Sequence, residues 1–258
     1  MSSAASVVNE AVEWSAEARF AVYYAPSRES AWWQAGSEWL GGDVESGVRY
    51  TPPQPVTLVR AVSELTQAPR RYGWHGTLVA PFRLADGVTS LGLLDDARAW
   101  ARQRAPFDLP VEAATLGDFV ALRPALPAGD AAMRELASSA LRTLGGLRAK
   151  PSAADLARRL AAPLTERQRS LLIEWGYPYV FDEFRFHMTL SSSLEAAAER
   201  AAHARRAAGQ AILRRSGTPA GCAADGAPAD LADRVGLSVR LRRIPFSHDA
   251  IELARSRG

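Results

Sequence analysis

Two stretches of this chain repeat one local pattern: Gly73-Trp-His75-Gly-Thr77-Leu-Val-Ala80 and Arg185-Phe-His187-Met-Thr189-Leu-Ser191. His-x-Thr-Leu thus occurs twice, with no fixed repeat period connecting the copies. Side chains on a strand alternate between faces, so each histidine points the same way as the threonine two residues on. In the second copy Phe184, Phe186, Met188 and Leu190 form an apolar face. Arg185, His187, Thr189 and Ser191 form the polar one. The first copy has the same register: Trp74, Gly76, Leu78 and Ala80 toward a core, His75, Thr77 and Val79 on the other side. The alternation predicts strands over 72–80 and 183–191, each displaying one imidazole beside one hydroxyl.

Outward from these stretches, strands and helices are mixed. A strand is predicted over 19–26, ending at Pro26, and a helix over 27–40 capped by Ser27. Trp32, Gly36, Trp39 and Leu40 fall on one side of that helix and read as core rather than as a stacking platform. Helices are predicted over 56–67, 90–103, 131–144, 152–160, 165–175 and 194–215, and strands over 107–112, 115–123 and 235–242. Short strands separated by helices imply α+β or α/β. The organisation expected is a flexible N-terminus over 1–18, one domain over 19–248 and a tail over 249–258. The Gly/Pro/Ala-rich loop over 216–230 is expected to lack fixed structure.

Composition narrows the function classes. With 258 residues, 47% of them hydrophobic and 23% charged, the chain buries a core and is neither disordered nor fibrous. A net charge of +3 suits an anionic small molecule, and without a basic-aromatic track nucleic acid is not expected. The single cysteine, Cys222, excludes an internal disulfide and a multi-cysteine metal site, as a reducing cytoplasm would allow. Met1 to Trp14 carries Glu10 and Glu13 and does not read as a secretory leader. No apolar run approaches the roughly 18 residues of a membrane span. Oligomeric state is not legible.

The chemistry rests on the repeated motif. Two imidazoles flanking one bound group supply a base and an acid, which is what phosphodiester cleavage needs. Thr77 and Thr189 can donate hydrogen bonds to phosphate oxygens, Arg185 can offset their charge, and Ser191 lies on the same polar face. No metal or cofactor is required: His-Glu-x-x-His and cysteine clusters are missing. So are the Gly-x-Ser-x-Gly, Walker and Rossmann patterns. A lone His-x-Thr on a strand carries little; two copies in matched register carry the reading. His203 and His248 read as solvated surface.

Further stretches sharpen this: Trp39-Leu-Gly41, Arg71 to Phe82, Phe119 to Leu122, Arg148-Ala149, Ala157 to Arg159, and Trp175 to Val180. With the doubled motif they resemble the 2H (two-histidine) phosphoesterase superfamily, in the branch found in phosphonate-utilisation operons. The resemblance spans about Arg19 to Ser191. It implies a bilobal α+β fold in which two antiparallel sheets face each other over a central cleft, with helices outside and one motif from each lobe. It implies a phosphoric diester hydrolase without metal or cofactor, acting on a small cyclic sugar phosphate. In phosphonate catabolism the fitting substrate is 5-phosphoribosyl 1,2-cyclic phosphate.

His187 would then serve as base and His75 as acid, or the reverse, with Arg148 and Tyr177 as substrate contacts. Two alternatives stay open: an RNA 2′,3′-cyclic phosphodiesterase, or a non-catalytic phosphonate- or nucleotide-binding accessory protein. The chain departs from the branch at Val79, where lysine is usual. It also has Lys150-Pro151 for Pro-Leu and Ser191-Ser192 for Thr-Gly.

Overall fold

The computed structural model describes residues 18–55, 58, 60–194, 212 and 238–241. The expected helix over 194–215 (apart from residues 194 and 212), the loop over 216–230, His203, Cys222, His248 and both tails (apart from residue 18) lie outside them.

The aromatic and β-branched run after Arg19 forms β1 (Phe20–Ala25), and the first motif leads into β2 (Gly76–Phe82). β3 (Val111–Leu116) and β4 (Phe119–Pro124) make a hairpin whose two-residue turn uses Gly117 at φ +60°. The second motif contributes β5 (Met188–Thr189), and β6 (Ser238–Leu241) completes the set. The helices are α1 (Ala31–Leu40), α2 (Val62–Leu65), α3 (Ser90–Arg102), α4 (Pro127–Thr143), α5 (Ala153–Leu160) and α6 (Glu166–Trp175).

The strands form one six-stranded sheet in the order β3-β4-β5-β2-β1-β6, with antiparallel neighbours. The α+β class stands, but the pair of facing sheets does not: among the described residues, both motifs lie on adjacent strands of one sheet. Alternation within a strand is the same whichever strand it pairs with, so local pattern does not tell two sheets from one.

Local corrections have local causes. Ser30, not Ser27, caps α1, its Oγ accepting from the Trp33 N–H at 3.1 Å, because a turn closes from the Ser27 carbonyl to the Ser30 N–H first. Of the predicted helix over 56–67, the described residues are helical only in α2. The strand over 183–191 shrinks to two residues, since Phe181–Glu183 winds into a 3₁₀ turn entered at Phe181 with φ +53°. Ser152 and Thr165 cap α5 and α6 as their positions predict.

One face of the sheet packs on the main core. Phe20, Val22 and Tyr24 of β1, Val120 and Leu122 of β4, and Met188 of β5 belong to that apolar cluster. The tryptophan stripe of α1 is core, with Trp32 and Trp39 buried. Gly36 lets α1 lie on the Trp74 ring, which stands 2.2 Å from where a Cβ would be. Truncating such a fully buried tryptophan costs about 3–5 kcal/mol. Trp39 also donates Nε1–H to the Leu190 carbonyl at 2.8 Å, fastening α1 to the second motif.

Candidate functional site

The opposite face carries both histidines. Gly76 pairs with Met188. Antiparallel order then places His75 opposite Thr189, and Thr77 opposite His187, on the face away from the core. Directly opposed Cβ atoms in such a pair lie about 4.5–5.5 Å apart and diagonal ones roughly 7–8 Å. The histidines occupy one diagonal of this square and the threonines the other, so one small polar group can be reached by all four. Tyr23, paired with Thr77, extends the row on β1, and its ring lies 3.9 Å from that of His75. Phe119 flanks the other side, 5.6 Å from the His187 ring.

Both rings are wired alike. Nδ1 of His75 donates to the Gly73 carbonyl at 2.9 Å, and Nδ1 of His187 to the Arg185 carbonyl at 2.9 Å. A carbonyl oxygen only accepts, so Nδ1 holds the hydrogen in each neutral ring and proton exchange falls to Nε2. Burial lowers the His187 pKa below its ordinary 6.5, with the Arg185 carbonyl bond partly opposing, so His187 is neutral near pH 7. His187 opens on a cavity of about 220 Å³ whose polar lining is Arg123, Asp130, Arg134 and Arg185. Arg185 itself is exposed.

The other sequence-predicted residues are placed differently. Ser191 is buried, its Oγ accepting from the Val120 N–H at 2.9 Å while its own N–H meets the Val120 carbonyl. Arg148 donates Nη2–H to the Trp175 carbonyl at 2.8 Å and lies over the Phe82 ring at 5.4 Å. The half-buried Tyr177 faces the Arg159 guanidinium at 5.1 Å. Val79 does not share the His75 face. A register shift against β1 between Tyr23 and Val22 adds one residue to β2, pairing Val79 with Val22 and turning it into the core at 2% exposure. A residue at 79 therefore packs rather than facing a ligand.

Sequence reasoning missed Tyr23, Arg123, Arg134 and Arg159 as neighbours of these residues. The unbroken aromatic run Tyr23-Tyr24 beside a small-residue strand was the one signal for the first. The arginines carry none, because the approach of Arg134 and Arg159 depends on how α4 and α5 fold back, and that of Arg123 on which strand β4 pairs with. Among the described residues no group of three or more His, Cys, Asp or Glu could hold a metal ion. No helix among them is long and apolar enough to cross a membrane.

The molecule is thus an α+β protein whose antiparallel sheet bears twinned imidazole-hydroxyl pairs on one face. The chain belongs to the family described as Protein of unknown function (DUF1045), whose model matches residues 77–219. It is 40% identical over 177 residues to a protein of Laribacter hongkongensis (strain HLHK9) named "Ribose 1,5-bisphosphate phosphokinase PhnN", covering 69% of this chain and 40% of that protein. It is 42% identical over 187 residues to one of the same name from Janthinobacterium sp. (strain Marseille), covering 68% of this chain and 39% of the relative. The chain thus spans about two fifths of the length of the curated relatives it matches. No solved structure matches.

These matches support the phosphonate-associated grouping and do not show the two-histidine superfamily. They overturn the expected reaction. Both relatives are named as a phosphokinase, a phosphoryl transferase, and not as a cyclic phosphodiesterase or any phosphoric diester hydrolase. The physical reason is that imidazoles and hydroxyls on a strand pair supply anion contacts and proton transfer, which transfer and hydrolysis share. They do not specify which nucleophile attacks.

Proposed function

We propose that this chain binds a phosphorylated ribose on its His/Thr face and exchanges protons with it through Nε2 of His75 and His187. The observation that carries the reading is the common wiring of the two rings, each tied by Nδ1 to the carbonyl two residues upstream on adjacent strands. A neutral His187 accepts a hydrogen bond from a sugar hydroxyl or a protonated phosphate oxygen. Thr77 and Thr189 donate to phosphate oxygens, and Arg185, at the mouth of the adjoining cavity, supplies positive charge.

The ligand class comes from the relatives' name, which specifies a phosphorylated ribose. The reading assigns the sugar phosphate to this chain, and not a nucleoside triphosphate, because its sequence has no Gly-x-x-x-x-Gly-Lys loop to cradle one. The doubled motif supports grouping the site with the two-histidine superfamily in arrangement. A single cysteine supports a reducing compartment such as the cytoplasm.

Calorimetry of the full chain with ribose 5-phosphate, ribose 1,5-bisphosphate and unphosphorylated ribose tests this. Both phosphates are expected to bind and ribose not to. His75→Ala and His187→Ala are each expected to weaken binding about tenfold, the scale of one lost charge-assisted hydrogen bond. Equal heats from ribose and its phosphates would overturn the reading.

A further inference from the structure

Beyond Tyr23 the His/Thr face ends under α5. The extra residues of the register shifts lie on β2, so β1 alternates regularly and Arg19 shares the face of Tyr23. Arg19 and Arg83 donate to Asp155 of α5, at 3.4 and 2.6 Å, and Arg158 adds a third contact at 2.6 Å. One turn further along α5, Arg159 lies over the Tyr177 ring at 5.1 Å, and Arg148 donates to the carbonyl of Trp175, two residues before that tyrosine.

These two guanidiniums are the anomaly. The Nε–H of Arg148 and that of Arg159 are both buried without a hydrogen-bond partner. Among the described residues neither has a salt-bridge partner, and Asp155 already serves three other arginines. Burial, and for Arg148 the charge of Arg159, lowers both pKa values, yet a guanidinium stays charged at any ordinary pH. Two guanidiniums along the segment from Trp175 to Tyr177, each partly dehydrated and with its Nε–H unused, are a cost to the fold by themselves. An anion supplies the missing acceptors, and a phosphate dianion matches both the double charge and the planar forks.

We propose that Arg148 and Arg159, beside the Tyr177 ring, form a second phosphate subsite at the Arg19 end of the His/Thr face. It holds the phosphate of the sugar that the histidines do not hold. This deepens the sugar-phosphate reading and rests on it. Two phosphates joined by one ribose then bind as a linked pair, so a bisphosphate is favoured over a monophosphate.

The test is calorimetry and thermal melting of the full chain and of Arg159→Met and His187→Ala, with ribose 1,5-bisphosphate and ribose 5-phosphate as probes. Arg159→Met is expected to lose affinity for the bisphosphate by about tenfold or more and to erase its advantage over the monophosphate. Its ligand-free melting temperature is expected to equal or exceed that of the parent, since an unpaired buried charge is gone; a bracing arginine would lower it. Bisphosphate affinity unchanged in Arg159→Met overturns the subsite, whatever His187→Ala does. Affinity lost in Arg159→Met but untouched in His187→Ala upholds the subsite and overturns the histidine-face reading. Should Arg159→Met not fold, Arg159→Lys decides, because it keeps the charge but not the fork: parental affinity there overturns the subsite.

Discussion

Gly76 faces Met188 directly where β2 meets β5, one residue from each histidine. A Cβ at Gly76 would stand 2.4 Å from the Phe186 ring and 3.2 Å from the His187 carbonyl oxygen. The missing side chain is what allows the two motifs to press together, with Phe186 filling the space above the glycine.

Gly76→Ala is accordingly expected to force the strands apart. Phe186 is 3% exposed and packed in the main cluster, so it has nowhere to swing. Overpacking of this kind costs about 1–3 kcal/mol. A lower urea midpoint together with lost sugar-phosphate affinity is the expected result; a parental midpoint would show that the contact yields cheaply.

His187 makes stability depend on pH with a definite sign. Burial holds its native pKa below the ordinary 6.5, so as pH falls from there the unfolded chain takes up the proton first. The contribution is complete above the unfolded pKa, shrinks as pH falls toward the lowered native value, and is level below it. Urea midpoints at about pH 7.5 and about pH 5.5 should differ less in His187→Gln than in the parent. The imidazole signals of His187 should titrate with a midpoint below 6.5.

Ser191→Ala separates bracing from binding. Its Oγ is the acceptor for the buried Val120 N–H, and its loss leaves that donor unpaired at a cost of about 1–3 kcal/mol. The expected outcome is a chain that melts earlier but, once folded, binds sugar phosphate with parental affinity. A loss of affinity larger than the loss of stability would put the hydroxyl on the ligand instead.

Much of this site is local and was readable from the chain. His75 and Thr77, like His187 and Thr189, share a face because strand alternation is a property of successive residues. The helices over 152–160 and 165–175 were readable from Ser152 and Thr165 because a capping oxygen acts within three residues. The core role of Trp32 and Trp39 followed from helical spacing in the same way. Val79 shows where this reasoning stops. Its face is reversed by one extra residue in β2, set by how β2 pairs with β1 beside it.

Residue order alone settled that two imidazole-hydroxyl pairs exist and how each is arranged internally. Choice of strand partner was settled only in three dimensions: β5 lies between β4 and β2, joining both motifs into one surface where local pattern had allowed two facing sheets. The placing of Arg148 and Arg159 against Trp175 and Tyr177 belongs to the same level, since these residues come from separate segments that meet only when the chain folds back. Alternation and capping act over two to four residues, whereas strand pairing and the gathering of distant side chains are fixed by long-range packing, whose free energy no short window of residues contains.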